Sequence, residues 1–194
     1  MRREARTRGR PRNESIDRAV VAAVLEVLRI RGYKAVTMVG IARKVKRARA
    51  SIYRRWPSKP YLVADCLVST LGARPAPDTG ALRGDLRAAV ATLQRAFSGP
   101  LRQALPGLVA DMAHDPELAR AVRRQVLAPR RQSMRAALQR ARARGEARGS
   151  VDTELVLDLL AAPFYFRTLF GHGRVDRRLT RAVVDHVLRV VGVE

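Results

Sequence analysis

The residues best suited to chemistry lie between Thr37 and Lys59, in a segment that reads TMVGIARKVKRARASIYRRWPSK. Guanidinium groups, hydroxyls and a tyrosine recur there, and no acid occurs between Glu26 and Asp65. Arginine can bind guanine through two hydrogen bonds, and an alanine methyl can touch the methyl of thymine. Lysine, tyrosine and hydroxyl side chains suit phosphates, which set the register of a protein on DNA. The segment therefore predicts recognition of a nucleic acid.

Two short helices, at 37–45 and 48–55, are predicted to position these side chains. Ile41 and Val45 lie four residues apart on one face, and Ile52 recurs in the next segment, so both helices must fold over a core supplied by an earlier helix. This is the arrangement of a helix-turn-helix, whose second helix can enter the major groove. That second helix presents four polar side chains, namely Arg49, Tyr53, Arg54 and Arg55.

The positive charge of the chain is concentrated around this segment. The 194 residues carry a formal net charge of +22, and residues 1–60 hold 18 basic against four acidic side chains. Such a one-sided patch repels itself unless a polyanion neutralises it. A solvated basic face between two core helices is the alternative interpretation. The coincidence of close helix spacing, a hydroxyl and basic residues favours DNA over that alternative.

Apolar periodicity predicts an all-α fold of about nine helices, and no alternating run indicates a strand. The first helix begins at Asn13 and ends at Gly32, where glycine suits a helix stop. A longer helix follows from Ser58 to Gly72, before the proline-rich stretch at 73–80. The helices predicted for the second half cover 80–98, 101–114, 115–144, 152–170 and 176–192.

Other classes of function find little support in the sequence. The three histidines lie in different segments without metal-ligand spacing, and the single cysteine, Cys66, has no companion. Neither a phosphate-binding glycine loop nor a nucleophile elbow occurs, so no catalytic, metal or cofactor site is predicted. No signal peptide and no apolar run of membrane-spanning length is evident. We therefore expect a soluble, cytoplasmic protein that is not an enzyme and has no membrane partner.

Several motifs resemble those of TetR-type (tetracycline-repressor-like) regulators. The N-terminal motifs are GRPR at 9–12, RGY at 31–33 and SIYRRWPSK at 51–59. The C-terminal half is similar to one group of effector domains in that family, through GALRGDLR at 80–87, DPELA at 115–119, APRR at 128–131 and DLLAAPFYFR at 158–167.

The resemblance implies a ligand-responsive repressor that acts as a homodimer on a palindromic operator of double-stranded DNA. It divides the chain into a flexible basic arm (1–12), a helix-turn-helix domain (13–57), a connecting helix with a linker (58–78) and an effector-binding and dimerisation domain (79–194). The effector would be a small molecule. A nonspecific architectural nucleic-acid-binding protein is the alternative function, distinguished by its ratio of specific to random-sequence affinity.

The resemblance also assigns roles to single residues. Arg49 and Ala50 would face bases, Thr37 and Lys59 would contact phosphate, and Tyr53 would brace the backbone. The arginines of the arm would reach toward the minor groove. The full set of expected DNA-binding residues is Arg8, Arg10, Arg12, Thr37, Lys46, Arg47, Arg49, Ala50, Tyr53, Arg54 and Lys59.

The chain departs from the family pattern at the turn between the two short helices. Lys46 stands where glycine is usual, and Arg47 stands where a hydrophobic residue is common. Ala48 replaces the usual Ser or Thr cap of the second helix, and the loss of such a cap costs about 1 kcal/mol. A slightly rebuilt turn is therefore expected.

Two further sets of residues are candidates in the C-terminal half. The effector pocket is expected to include Phe97, Leu105, Leu108, Met112, Val126, Met134, Phe164 and Arg167, although an ordinary packed core would use the same apolar residues. The dimer interface is expected to include Leu155, Leu159, Ala162 and Phe166 on one helix, with Leu179, Val183, Val187 and Val190 on the last. Both stripes exceed what one subunit obviously needs to bury, although packing within one subunit remains the alternative.

Overall fold

A computed structural model describes residues 14–72 and 77–192 of the chain. Within those two ranges every regular element is helical, so the all-α prediction is confirmed. The α-helices are α1 (Glu14–Arg31), α2 (Met38–Lys44), α3 (Arg49–Tyr53), α4 (Lys59–Leu71), α5 (Leu82–Ser98), α6 (Leu101–His114), α7 (Pro116–Val122), α8 (Ala128–Ala143), α9 (Thr153–Phe170) and α10 (Arg177–Val191). Arg8, Arg10 and Arg12 lie outside the described residues.

Aspartate caps begin three of the C-terminal helices where the sequence predicts them. Asp115 accepts a hydrogen bond from the N–H of Leu118 at 2.9 Å, and Asp176 accepts one from Leu179 at 2.9 Å. Asp152 accepts from the first turn of α9 in the same way. Each carboxylate satisfies a backbone donor that has no partner inside the helix and sits at the positive end of the helix dipole. These helix starts are therefore determined locally.

The single helix predicted over 115–144 is continuous but contains one irregular turn. A π-helical turn, Arg123–Leu127, joins α7 to α8, and the N–H of Ala128 donates to the carbonyl of Arg123, five residues back. Pro129 explains the wider turn, because proline has no N–H to donate and its ring excludes the carbonyl of Gln125 four residues earlier. Because α7 and α8 continue through this turn as one helix, the described residues form about nine continuous helices.

One apolar core runs through both halves of the described chain. α4 packs against α1 on the N-terminal side and against α5, α6 and α7 on the other. Its buried face includes Leu62, Val63 and Leu67. α4 therefore connects the two halves physically, while the domain boundaries at 58 and 78 stay a prediction.

The C-terminal half is built on α5, which packs against α6, α8, α9 and α10. Phe97 and Phe164 are fully buried there, and the Phe97 ring meets Tyr165 edge-on at 4.9 Å between centroids. The buried carboxylate of Asp85 accepts hydrogen bonds from the N–H and the hydroxyl of Thr79, at 2.7 and 2.8 Å. That pairing fastens the segment before α5 onto the helix. None of the helices in the described ranges has the length and apolar character needed to span a membrane.

Candidate nucleic-acid interface

The first three helices form a small assembly over a shared apolar core. Val24 and Leu28 of α1 are fully buried, as are Ile41 of α2 and Ile52 of α3. Trp56, just after α3, is also buried, and its indole N–H donates to Asp65 of α4 at 3.1 Å. α2 and α3 are too short to be stable alone, so this packing holds them in place.

Thr37 lies at the N-terminus of α2 and caps it. Its hydroxyl oxygen accepts a hydrogen bond from the N–H of Gly40 at 3.1 Å, while the side chain remains exposed. A hydroxyl that accepts from the backbone still has its own proton to donate. Thr37 can therefore cap the helix and contact a phosphate at once, and its phosphate contact stays a prediction.

The turn between α2 and α3 follows a regular helix-ending motif in spite of its unusual residues. Lys46 adopts the left-handed conformation with φ 52°, the only positive φ at a non-glycine residue in the described ranges. The N–H of Lys46 donates to the carbonyl of Arg43, and the N–H of Arg47 donates to that of Ala42. These two bonds define a Schellman motif, which usually has glycine in the left-handed position. The turn therefore has the usual geometry of this motif. The cost of the left-handed conformation is borne by Lys46, which has a Cβ where glycine has none.

Lys46→Gly is expected to give a protein about 1 kcal/mol more stable than Lys46→Ala, because alanine keeps the Cβ that makes a left-handed residue costly and glycine does not. Both variants lose the same charge, so their difference isolates the backbone effect. Urea unfolding measures this difference in stability from the midpoints of the two variants, provided that their unfolding free energies fall with urea concentration at the same slope. Equal midpoints would show that the left-handed conformation is not maintained in solution.

α3 presents an exposed basic surface, which we call the α3 face. Ala48 precedes it in extended conformation and makes no side-chain cap. Tyr53 is 46% exposed, although large aromatic side chains are usually covered. The other exposed members of the α3 face are Lys46, Arg47, Arg49, Ala50 and Arg54. Within the described residues none of its cations forms an ion pair, so their charge is available to a polyanion.

Arg55 does not belong to the α3 face, which corrects the sequence interpretation. Its guanidinium forms an ion pair with Asp17 of α1 at 2.9 Å and is only partly exposed. Lys44 is paired in a similar way with Glu26 of α1 at 2.9 Å. The acids of α1 thus neutralise the basic residues on the side of α2 and α3 that faces α1. The unpaired charge is left on the α3 face.

Lys59 stands at the first residue of α4 and is held by an aromatic ring. Its ammonium lies 4.2 Å from the centroid of the Tyr33 ring, within the range of a cation–π interaction. The Tyr33 hydroxyl donates a hydrogen bond to Asp111 of α6. Burial and this carboxylate raise the pKa of Tyr33 well above its ordinary value. Sequence reasoning missed this link between the two halves, because its partners are 78 residues apart.

Gly107→Ala is expected to destabilise the protein by about 1–3 kcal/mol, as overpacking of a filled site does. A Cβ on Gly107 would lie under 3.0 Å from three atoms of the Tyr33 ring, which Asp111 and Lys59 hold in place. Gly149→Ala is the matched control, since a Cβ there meets nothing. Thermal unfolding compares the two, and equal stability would mean that the ring moves aside freely.

A small cavity of about 70 Å³ lies between α5, α8 and α9 in the C-terminal half. Val90, Leu93, Met134, Leu160 and Tyr165 are among the residues that line it, together with Arg130. Arg130 donates to the carbonyls of Leu71 and Ala89 at 3.4 and 3.3 Å. A polar group beside an apolar wall is typical of ligand sites, although this volume is well below that of most of them.

Most of the expected pocket residues lie elsewhere. Of the eight, Met134 alone lines this cavity. Five are buried in the core, namely Phe97, Leu105, Leu108, Val126 and Phe164. Met112 is half-buried, and Arg167 donates to the carbonyl of Arg174 at 2.9 Å. Their part in binding an effector stays a prediction.

The two stripes expected at a dimer interface differ in exposure. On α9, Leu155, Leu159 and Phe166 are 54%, 39% and 55% exposed, and Ala162 is exposed too. Phe170 continues this α9 stripe at 69% exposure. Rows of large apolar side chains left in solvent are typical of interaction surfaces. A dimer interface at the α9 stripe stays a prediction.

The stripe on α10 is mostly buried within the subunit, which corrects the expectation of a surplus there. Leu179, Val183 and Val187 are 5%, 7% and 2% exposed, and α10 packs against α5 and α9. Only Val190 of that set is exposed, at 46%. The first three residues are therefore not available to a partner.

Cys66 offers no reactive thiol. It is fully buried in α4, and its sulfur lies 3.4 Å from the carbonyl oxygen of Leu62. Burial raises the pKa of the thiol to about 12. The thiolate that nucleophilic chemistry needs is therefore scarce near neutral pH.

Comparisons with known proteins agree with this geometry. Residues 20–66 match the family described as bacterial regulatory proteins, tetR family, and residues 76–187 match the tetracyclin repressor-like C-terminal domain. The chain is 34% identical over 186 residues to a DNA-binding transcriptional repressor TetR of Mycobacteroides abscessus, covering 93% of this chain and 95% of that protein. It is 30% identical over 185 residues to an uncharacterized HTH-type transcriptional regulator, YdeS, of Bacillus subtilis, covering 95% and 93%.

A solved structure extends the agreement to the fold. The crystal structure of the TetR family transcription regulator SCO0332 superposes with a TM-score of 0.69 at 30% identity. The superposition covers 91% of this chain and 98% of that one. These relatives are transcriptional regulators, which supports a role other than catalysis.

Proposed function

Because the chain belongs to the TetR family of DNA-binding transcriptional regulators, we propose that it is a repressor that binds a palindromic operator as a homodimer and responds to a small molecule. The α3 face is the observation that carries this proposal. Its exposed arginines and Tyr53 have no acidic neighbour in the described ranges that neutralises them. A helix that presents guanidinium groups next to a small alanine suits the major groove.

The homodimer is supported by the exposed α9 stripe. A two-fold axis through this stripe brings the same residues of two subunits together, which is the usual form of a homodimer. Two α3 faces held about 34–36 Å apart match successive major grooves on one side of the DNA. A palindromic operator follows from that symmetry.

The response to a small molecule is supported by the connection between the halves. α4 joins the helix-turn-helix to the C-terminal half, and Tyr33 links the end of α1 to Asp111 of α6. In a dimer, the two α3 faces can lie at different distances from each other in different conformations. An effector that binds one of these conformations more tightly shifts the population of the dimer toward it. A ligand that binds the protein and leaves operator affinity unchanged would remove this part of the proposal.

Selection of bound DNA from a random duplex pool at near-physiological salt tests the function. The expected result is enrichment of one palindrome, bound roughly a thousandfold more tightly than random sequence. Tight, salt-sensitive binding without enrichment would instead identify a nonspecific architectural protein. The selection must distinguish specific from nonspecific binding, because the net charge of +22 by itself favours phosphate contacts.

A further inference from the structure

A large groove lies mainly on the N-terminal half and extends to α7, away from the small C-terminal cavity. Its volume is about 980 Å³, and it shares no lining residue with that cavity. The groove runs between α1, α4 and the residues around α3, and reaches Val122 of α7. Its apolar lining includes Val21, Leu25 and Val68. This volume is at the upper end of the range for small-molecule sites.

The rim of the groove is cationic. Four arginines and two aspartates contribute to it. Arg55 neutralises Asp17 at 2.9 Å, whereas Asp65 accepts from the neutral indole N–H of Trp56 at 3.1 Å and keeps its charge. The four arginines still outnumber the two aspartates, so the lining carries a net positive charge. Arg47 and Arg54 have no acid within ion-pair distance in the described ranges, and the only hydrogen bond from Arg54 goes to the Ser51 hydroxyl at 3.5 Å. The groove thus offers two unneutralised guanidinium groups beside an apolar wall.

We propose that this groove binds an amphipathic organic anion, with its apolar body between α1 and α4 and its acidic group on Arg47 and Arg54. Guanidinium groups bind a carboxylate through paired hydrogen bonds, and such charge-assisted bonds are among the strongest available. The apolar wall selects a hydrocarbon body over a bare inorganic anion.

Occupancy of the groove opposes DNA binding directly. Arg47 and Arg54 belong both to the rim and to the α3 face. A guanidinium that holds a carboxylate is not free for a phosphate or a base, so anion and DNA compete for the same groups. This competition rests on the proposed function, whereas binding of the anion does not.

Trp56 provides a direct measurement, because it lines the groove and is the only tryptophan of the chain. The probe is sodium decanoate, added to the full chain without DNA below its micelle concentration, with decylammonium as the oppositely charged control. The expected result is a saturable change in Trp56 emission with decanoate and an affinity at least tenfold weaker for decylammonium. Equal responses to decanoate and decylammonium would contradict an anion-binding site in this groove.

Two variants locate the decanoate. Ala22→Phe fills the groove and is expected to abolish the response, while Ala19→Phe, exposed on the same helix outside the lining, leaves it unchanged. Arg47→Gln with Arg54→Gln is expected to weaken decanoate at least tenfold. A response that survives both changes would place the ligand elsewhere and refute the proposal.

Competition is measured with a fluorescent duplex at fixed salt. Once the groove is saturated, the apparent Kd for DNA is expected to rise in proportion to the concentration of decanoate. In Ala22→Phe, the apparent Kd is expected to stay constant as decanoate is added. Decanoate that binds at Trp56 without raising this Kd would overturn the competition and leave the site intact. A protein that binds decanoate but selects no palindrome would instead contradict the proposed function alone.

Discussion

Phe166→Asp is expected to produce a monomer and to weaken binding to the selected palindrome by roughly a hundredfold or more, because two linked half-site contacts become one. Phe166 is 55% exposed and packs against Phe170 and His172, with centroids 4.7 and 5.0 Å apart. This aromatic cluster lies at one end of the α9 stripe. A carboxylate there would have to be buried without a partner when two subunits meet, which is strongly unfavourable.

Light scattering measures the mass of the variant, and fluorescence anisotropy measures its affinity for the palindrome. Val109→Asp is the matched control, because Val109 is an apolar residue of α6 that is 40% exposed and lies off the α9 stripe. It should remain dimeric with unchanged affinity. A dimeric Phe166→Asp would show that the α9 stripe is not the interface, and a monomer of full affinity would contradict operator binding as a dimer.

Arg49→Ala is expected to weaken operator binding by roughly 5- to 150-fold and to relax the preference at one position of each half-site, as loss of a bidentate contact to guanine does. Arg49 is the first residue of α3, is exposed, and forms no ion pair within the described ranges. Its removal therefore leaves no buried partner unsatisfied, and the unfolding free energy should not change.

The matched control is Arg87→Ala, which removes the same charge from an exposed position on α5. Comparison of both variants on the operator and on a scrambled duplex separates base contacts from phosphate contacts. If Arg49 contacts a base, Arg49→Ala lowers the affinity for the operator more than the affinity for the scrambled duplex. An equal loss on both duplexes, with a shallower salt dependence, would assign Arg49 to phosphate.

Features that depend on neighbouring residues were predictable from the amino-acid pattern alone. Asp115, Asp152 and Asp176 begin helices because a carboxylate satisfies backbone donors two or three positions ahead, and that chemistry needs no distant partner. The helix-turn-helix was predictable for a similar reason, since the spacing of Ile41, Val45 and Ile52 defines which faces are buried.

Which apolar and basic side chains stay exposed depends instead on how the helices pack against one another. The α10 stripe has the periodicity of an interface but is covered by α5 and α9, whereas the α9 stripe stays exposed. Arg55 resembles its neighbours in sequence, yet Asp17 neutralises it from another helix. Burial and ion pairing depend on residues that are far apart along the chain, and the periodicity of one segment carries no information about what covers it.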